Sequence, residues 1–191
     1  VGATADFTIG VAPMRQEVHH APAPPALRAT GFPAVGDLDL GIYVRPGSGG
    51  TMLVGGTEPA CDPLEWIDDP DAANLNPTAA RFEAQVTRAA RRFPGLTVPN
   101  RPTGIAGVYD VADDWTPIYD RTALPGFYVA IGTSGNQFKN APIIGSLMGR
   151  IIDAVENGHD HDTDPVHYRC PHTGHDLNLG AFFRKRETNP D

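Results

Sequence analysis

The chain has 191 residues, 40% of them hydrophobic, which suffices for one ordinary domain or two small ones and excludes wholesale disorder. Its 15 basic and 23 acidic side chains give a formal charge of −8, which argues against general nucleic-acid binding but leaves room for a local basic site that takes a small anion. With 21 glycines and 19 prolines, the chain should be built from short elements joined by many turns.

Two cysteines, Cys61 and Cys170, lie far apart and show no framework spacing. They read as unpaired thiols in a reducing, cytoplasmic compartment. No apolar run approaches the ~20 residues that span a bilayer. No basic segment followed by an apolar one opens the chain, so no signal peptide is expected. The first residue is Val1 rather than Met, which suggests a processed product or a piece of a longer polypeptide.

In chain order, residues 7–25 read as an extended run, with Phe7, Ile9 and Val11, then the charged Arg15 and Glu17, ending in the prolines Pro22, Pro24 and Pro25. Apolar and polar residues alternate from Leu38 to Val44, the pattern of a half-buried strand. Pro46-Gly47-Ser48-Gly49-Gly50 is a turn signal and Thr51–Val54 the returning strand, which together predict a hairpin. The polar, proline-bearing stretch 58–76 reads as a loop. A helix follows, with Asn76 as its cap and Pro77 in its first turn. Phe82, Val86, Ala89, Ala90 and Phe93 share its apolar face, and Pro94-Gly95 stops it.

Gly104–Val111 and Gly126–Ile131 look like strands. The second is almost continuously apolar and is expected to be central and buried. Between them, Trp115–Tyr119 is a short extended piece. A second helix starts near Pro142, carries the stripe Ile144, Leu147, Met148, Ile151, Ile152 and Val155, and ends at Gly158. Gly145 and Gly149 share a face of it, where simple helix-on-sheet packing is expected. The tail from His159 is polar until Leu177–Phe183 and then basic at Arg184-Lys185-Arg186.

The chemistry points to Gly126–Pro142: a strand, then Gly132-Thr133-Ser134-Gly135-Asn136-Gln137-Phe138-Lys139, then a helix. A small-residue loop at a helix N-terminus lets backbone N–H groups and the helix dipole meet an anionic or electron-rich ligand, and Lys139 adds a full charge. Spacing alone leaves an ordinary glycine-rich turn equally open.

The run from Leu124 to Pro142 resembles the C-terminal flavin motif of the D-amino-acid-oxidase/sarcosine-oxidase (DAO) family. That motif is a Leu-Pro-Gly-Leu/Phe-Tyr turn and strand, then Gly-x-Ser-Gly-x-x-Phe-Lys, then a helix with Ala-Pro. The resemblance implies that Gly132, Thr133, Ser134, Gly135, Asn136, Gln137 and Phe138 support the isoalloxazine ring. It further implies that Lys139 faces substrate carboxylate and flavin. This chain has Asn136-Gln137 where many members have His-Gly. Upstream, Gly104–Asp120 is similar to the family's preceding strand and turn. Tyr109 stands where sarcosine oxidases have a substrate-facing tyrosine, and Gly107 where covalently flavinylated members have a cysteine. A glycine forms no thioether, so the implied cofactor is non-covalent FAD. Residues 39–57 resemble the substrate-domain hairpin, and Asp176–Glu187 the closing segment of one branch. The likeness covers most of residues 11–187. The family's N-terminal Gly-x-Gly-x-x-Gly clamp for the dinucleotide is absent from the sequence, so an N-terminal FAD-binding half is expected before Val1 or on a separate subunit.

Two rivals remain. Cys170, His172 and His175, with His159, His161 and His167 nearby, have the residue types of a metal site but no paired spacing. A Rieske centre is rejected, since it needs a second Cys-x-x-His pair. The other rival is a non-catalytic interaction module or degenerate fragment. The expected fold is α+β: a mostly antiparallel substrate-domain sheet with flanking helices over 1–103, the C-terminal strand and helix of an FAD-binding domain over 104–158, and a tail over 159–191. The implied activity is oxidation of the C–N bond of an amine or amino acid, with Lys139 and Tyr109 at the substrate.

Overall fold

A computed structural model describes residues 5–188, which fall into two units, Met14–Val108 and Val1–Pro13 with Tyr109–Asp191. Two strands, β1 (Val11–Pro22) and β6 (Gly104–Ala112), contribute residues to both.

The unit Met14–Val108 is an antiparallel sheet with one helix on it. β2 (Val35–Asp37), β3 (Ile42–Pro46), β4 (Thr51–Gly56), β1 and β5 (Glu65–Trp66) lie in the order β2-β3-β4-β1-β5, and β6 also pairs with β1. The predicted hairpin is β3–β4, with Val44 opposite Val54. Its first strand starts later than the alternation suggested. Leu38–Gly41 is a turn, because Asp37 Oδ1 accepts the Leu40 N–H at 3.0 Å and Gly41 takes φ +60°. Leu38 is consequently exposed.

The short helix α1 (Pro25–Thr30) follows β1, and α2 (Ala79–Arg92) covers the sheet. Phe82, Val86 and Ala89 of α2 pack with Ala21, Ile42, Val44, Met52 and Val54. Each large apolar side chain buried there contributes roughly 1.5–3 kcal/mol. The helix begins two residues after the expected point. Its N-cap is Thr78, whose N–H and hydroxyl both donate to Glu17, at 2.8 and 2.9 Å.

Glu17 belongs to an ionic cluster that no hydrophobic pattern foretells. Period-two alternation puts Arg15, Glu17 and His19 of β1 on the same buried face as Ala21. Arg15 donates to Glu17 at 2.7 Å, to Glu65 at 2.9 Å, and to the carbonyls of Asn74 and Asn76. It thereby ties down the 58–76 stretch, which carries the short strand β5 as well as loop.

In the unit of Val1–Pro13 and Tyr109–Asp191, β7 (Ile118–Arg121) and β8 (Tyr128–Ile131) form a two-stranded antiparallel sheet. The expectation of a central, buried strand here is not met. Among the described residues β8 has one neighbour, β7, and only Val129 is buried. The helix α3 (Ala141–Glu156) buries Leu147 and Ile151 against Val166 and Leu179. Its opposite face is open: Ile143 and Ile152 are exposed, and a Cβ added at Gly145 or Gly149 would meet no other element within 4 Å among the described residues, so the expected packing at those glycines is absent.

The tail is not simply solvated. β9 (His167–Arg169) and β10 (Asp176–Asn178) make a hairpin, a 3-10 turn follows at Leu179–Phe182, and Arg184 is only 1% exposed. Its guanidinium forks onto Asp6, Asp120 and Asp162 with five side-chain bonds of 2.8–2.9 Å. No helix among the described residues is long and apolar enough to cross a membrane.

Candidate functional site

The predicted ligand loop follows β8 and leads through a 3-10 turn, Phe138–Asn140, into α3. Its conformation is unusual. Gly132, Ser134 and Gly135 all have left-handed φ angles, +68°, +48° and +71°. Ser134 is the only one of the three with a side chain, and it is buried. Its Oγ accepts the Ala112 N–H at 3.3 Å and donates to the Gly132 carbonyl at 3.2 Å.

Tyr109 of β6 lies against this loop. A Cβ added at Gly135 would stand 2.0 Å from Tyr109 Cε2, so the two residues touch only because position 135 is glycine. Burial pushes the Tyr109 phenol above its ordinary pKa, which keeps it a neutral hydroxyl. Asn136 and Gln137 stand exposed and half-buried beside it. Gln137 Oε1 accepts from Tyr119 Oη at 3.0 Å and from Asn140 Nδ2 at 2.8 Å. Tyr119 is pushed up to about 12 by burial and by the nearby Asp110 carboxylate, so it serves as a donor. Thr133 Oγ1 donates to Asp110 Oδ1. Phe138 is 97% exposed, an aromatic face with nothing on it. Lys139 is exposed, and its Nζ donates to the Asn136 carbonyl at 2.5 Å, next to the same loop.

The structure therefore gathers Tyr109 and residues 132–139 into one constellation. It also adds two residues that reading the sequence missed, Asp110 and Tyr119. The signal for Asp110 was its place beside Tyr109 on the strand that meets the loop. Tyr119 offered none, since its contact with Gln137 spans a turn and a strand.

The groups at this surface suit a flat ring that carries hydrogen-bond acceptors. Glycine keeps position 135 free of a side chain, and the Gly135 N–H has no acceptor among the described residues. Phe138 offers exposed apolar area, and the loop leads into the N-terminus of α3. A Cβ added at Gly107 would meet nothing within 4 Å among the described residues, and glycine has no nucleophile to offer.

The rival metal residues sit elsewhere in the same unit, at the β9–β10 turn. There the Cys170 N–H donates to the His175 carbonyl, and His172 is exposed. No group of three or more histidine, cysteine or acidic side chains among the described residues is arranged to hold a metal. Cys61 and Cys170 are free thiols.

The fold has solved counterparts. Glycine oxidase from Geobacillus kaustophilus superposes with a TM-score of 0.60 at 20% identity, over 85% of this chain and 40% of that one. L-proline dehydrogenase from P. horikoshii gives 0.66 at 17% identity, over 96% and 42%. Fructosyl amine:oxygen oxidoreductase (Amadoriase I) from Aspergillus fumigatus gives 0.51 at 18% identity, over 75% and 35%. At these identities the likeness is one of fold, and the chain spans about two fifths of the length of the first two structures. No curated protein sequence matches it. Residues 1–151, more than three quarters of the sequence, match the family described as DAO, FAD dependent oxidoreductase, and the chain belongs to that family.

Proposed function

We propose that this chain is the substrate-domain and C-terminal portion of an FAD-dependent oxidoreductase that oxidises the C–N bond of an amine or amino acid. The observation that carries this reading is the close approach of Tyr109 to Gly135 in a left-handed loop whose outward face is free. FAD, when bound, supplies the acceptor for the substrate's hydride. The residues here bind and orient. Residues 132–138 support the ring, Lys139 pairs with a substrate carboxylate, and the Tyr109 hydroxyl orients the amine-bearing carbon. The unit Met14–Val108 takes the substrate-domain role. Non-covalent attachment follows from glycine at position 107.

The dinucleotide's pyrophosphate needs a Gly-x-Gly-x-x-Gly strand–helix turn, and the sequence contains no such motif. An N-terminal FAD-binding half, in the same longer chain or on another subunit, is therefore part of the reading. The open apolar face of α3 and the two-fifths coverage of the related structures support it. A reducing, cytoplasmic setting suits the two free thiols.

The test is the visible absorption spectrum of the purified protein with FAD, with and without the upstream half, followed by a screen of amines and amino acids. Flavin bands that need the upstream half and bleach anaerobically with an amine are the expected result. No bound flavin under either condition refutes the reading and favours a non-catalytic module.

A further inference from the structure

Three of the four residues 132–135 are left-handed, and the one that is not glycine, Ser134, sits where a side chain costs on the order of 1–3 kcal/mol. One residue meets three consecutive positions of this loop. Asp110 Oδ2 accepts the Gly132 N–H at 2.8 Å, Asp110 Oδ1 accepts the Thr133 hydroxyl, and the Asp110 carbonyl accepts the Ser134 N–H at 3.0 Å. No lysine, arginine or histidine pairs with this carboxylate among the described residues. The three contacts also sort the loop's donors. The amides of Gly132 and Ser134 are turned inward and used, while that of Gly135 is left without an acceptor.

We propose that Asp110 is the positioning residue that locks the 132–135 loop in the form that receives the flavin. This rests on the reading of that loop as flavin support and goes beyond it, because Asp110 itself need not touch the ring. Geometry rather than charge is the requirement. In Asp110→Asn the side-chain oxygen still accepts the Gly132 N–H and the amide donates to the Thr133 hydroxyl, so the clamp survives. In Asp110→Ala both bonds vanish.

The experiment has two readouts on the holoenzyme and its flavin-free form: the FAD dissociation constant from flavin fluorescence, and amide hydrogen exchange at Gly132 and Ser134. Asp110→Ala should weaken FAD by about tenfold or more and speed exchange at both amides by a similar factor, as expected for the loss of two hydrogen bonds. Asp110→Asn should stay within about threefold of the parent in both. Thr133→Ala, which deletes one bond and leaves the carboxylate, should fall between them and keeps the test decisive if Asp110→Ala does not fold. Unchanged FAD affinity in Asp110→Ala or Thr133→Ala overturns the proposal, as does equal impairment by Asn and Ala at position 110. A parent protein that takes up no flavin defeats the functional reading itself, an outcome separate from a bound flavin that ignores Asp110.

Discussion

Replacing Arg184 by methionine should destabilise the protein by several kcal/mol. The guanidinium is 1% exposed and holds three carboxylates, of which Asp120 is fully buried and Asp6 and Asp162 are a quarter to a third exposed. Without the cation, Asp6 and Asp162 can regain water. Asp120 cannot, and it keeps the backbone N–H bonds from Arg121 and Arg184, with the buried His161 Nε2 3.7 Å away as its one other polar neighbour among the described residues. Breaking a buried pair from one side typically costs about 3–5 kcal/mol. That is a large share of the roughly 5–15 kcal/mol that holds a domain together. Urea unfolding followed by circular dichroism reads the loss as a lower midpoint at constant slope. The double variant Arg184→Met/Asp120→Asn should recover at least about 1 kcal/mol relative to the sum of the two single changes, because it removes the stranded charge. A loss below about 1 kcal/mol for Arg184→Met, or strict additivity in the cycle, would refute this account of the cluster.

Three further outcomes are expected. Gly135→Ala forces a side chain into a left-handed φ and onto the Tyr109 ring, so FAD uptake should collapse, and Gly135→Ala/Tyr109→Ala should restore part of it; equal loss in both variants would locate the defect elsewhere. Lys139→Met should raise KM for carboxylate-bearing amines far more than for neutral ones, and kinetics unchanged for both would remove Lys139 from the substrate site. Stability should fall in two stages on acidification. Burial holds His19 and His161 below their ordinary pKa, so the unfolded chain takes up their protons first and stability declines as the pH drops below about 6.5. Hydrogen bonds from Arg184 hold Asp6 and Asp162 low, so their contribution is present above about pH 4 and is lost as the pH falls below it. Urea midpoints that stay flat between pH 7.5 and 5 would contradict the histidine stage.

Local chemistry was legible where a residue's neighbours in sequence decide its state. The Gly-rich turn at 46–50 closes the β3–β4 hairpin, and the spacing of Phe82, Val86 and Ala89 marks the buried face of α2. The loop at 132–139 stands between strand and helix as its composition suggested. What failed depended on partners distant in sequence. The apolar run of β8 argues for two covered faces, yet one strand neighbours it among the described residues. Asn76 and Pro77 looked like a sufficient start for α2, but Glu17, sixty-one residues earlier, selects Thr78. Nothing in the run 7–25 says that Arg15 is buried, and only its meeting with Glu17, Glu65 and two carbonyls makes that burial tolerable. The tail shows the same limit, since a basic run gives no hint that its first arginine is the hub of three carboxylates.

Ser134 tests whether the strain in the candidate site is real. A serine at φ +48° costs about 1–2 kcal/mol relative to glycine, by the contact of Cβ with the backbone. Its hydroxyl offsets this by joining the Ala112 N–H to the Gly132 carbonyl, two bonds of about 1 kcal/mol each in a buried setting. Ser134→Ala keeps the strain and loses both bonds, whereas Ser134→Gly loses the bonds but relieves the strain. Glycine should therefore be the milder replacement by about 1 kcal/mol, in spite of its greater freedom in the unfolded chain. Alanine milder than glycine would mean that the left-handed serine carries no strain. The need for Asp110 to hold the loop would then lose its physical basis.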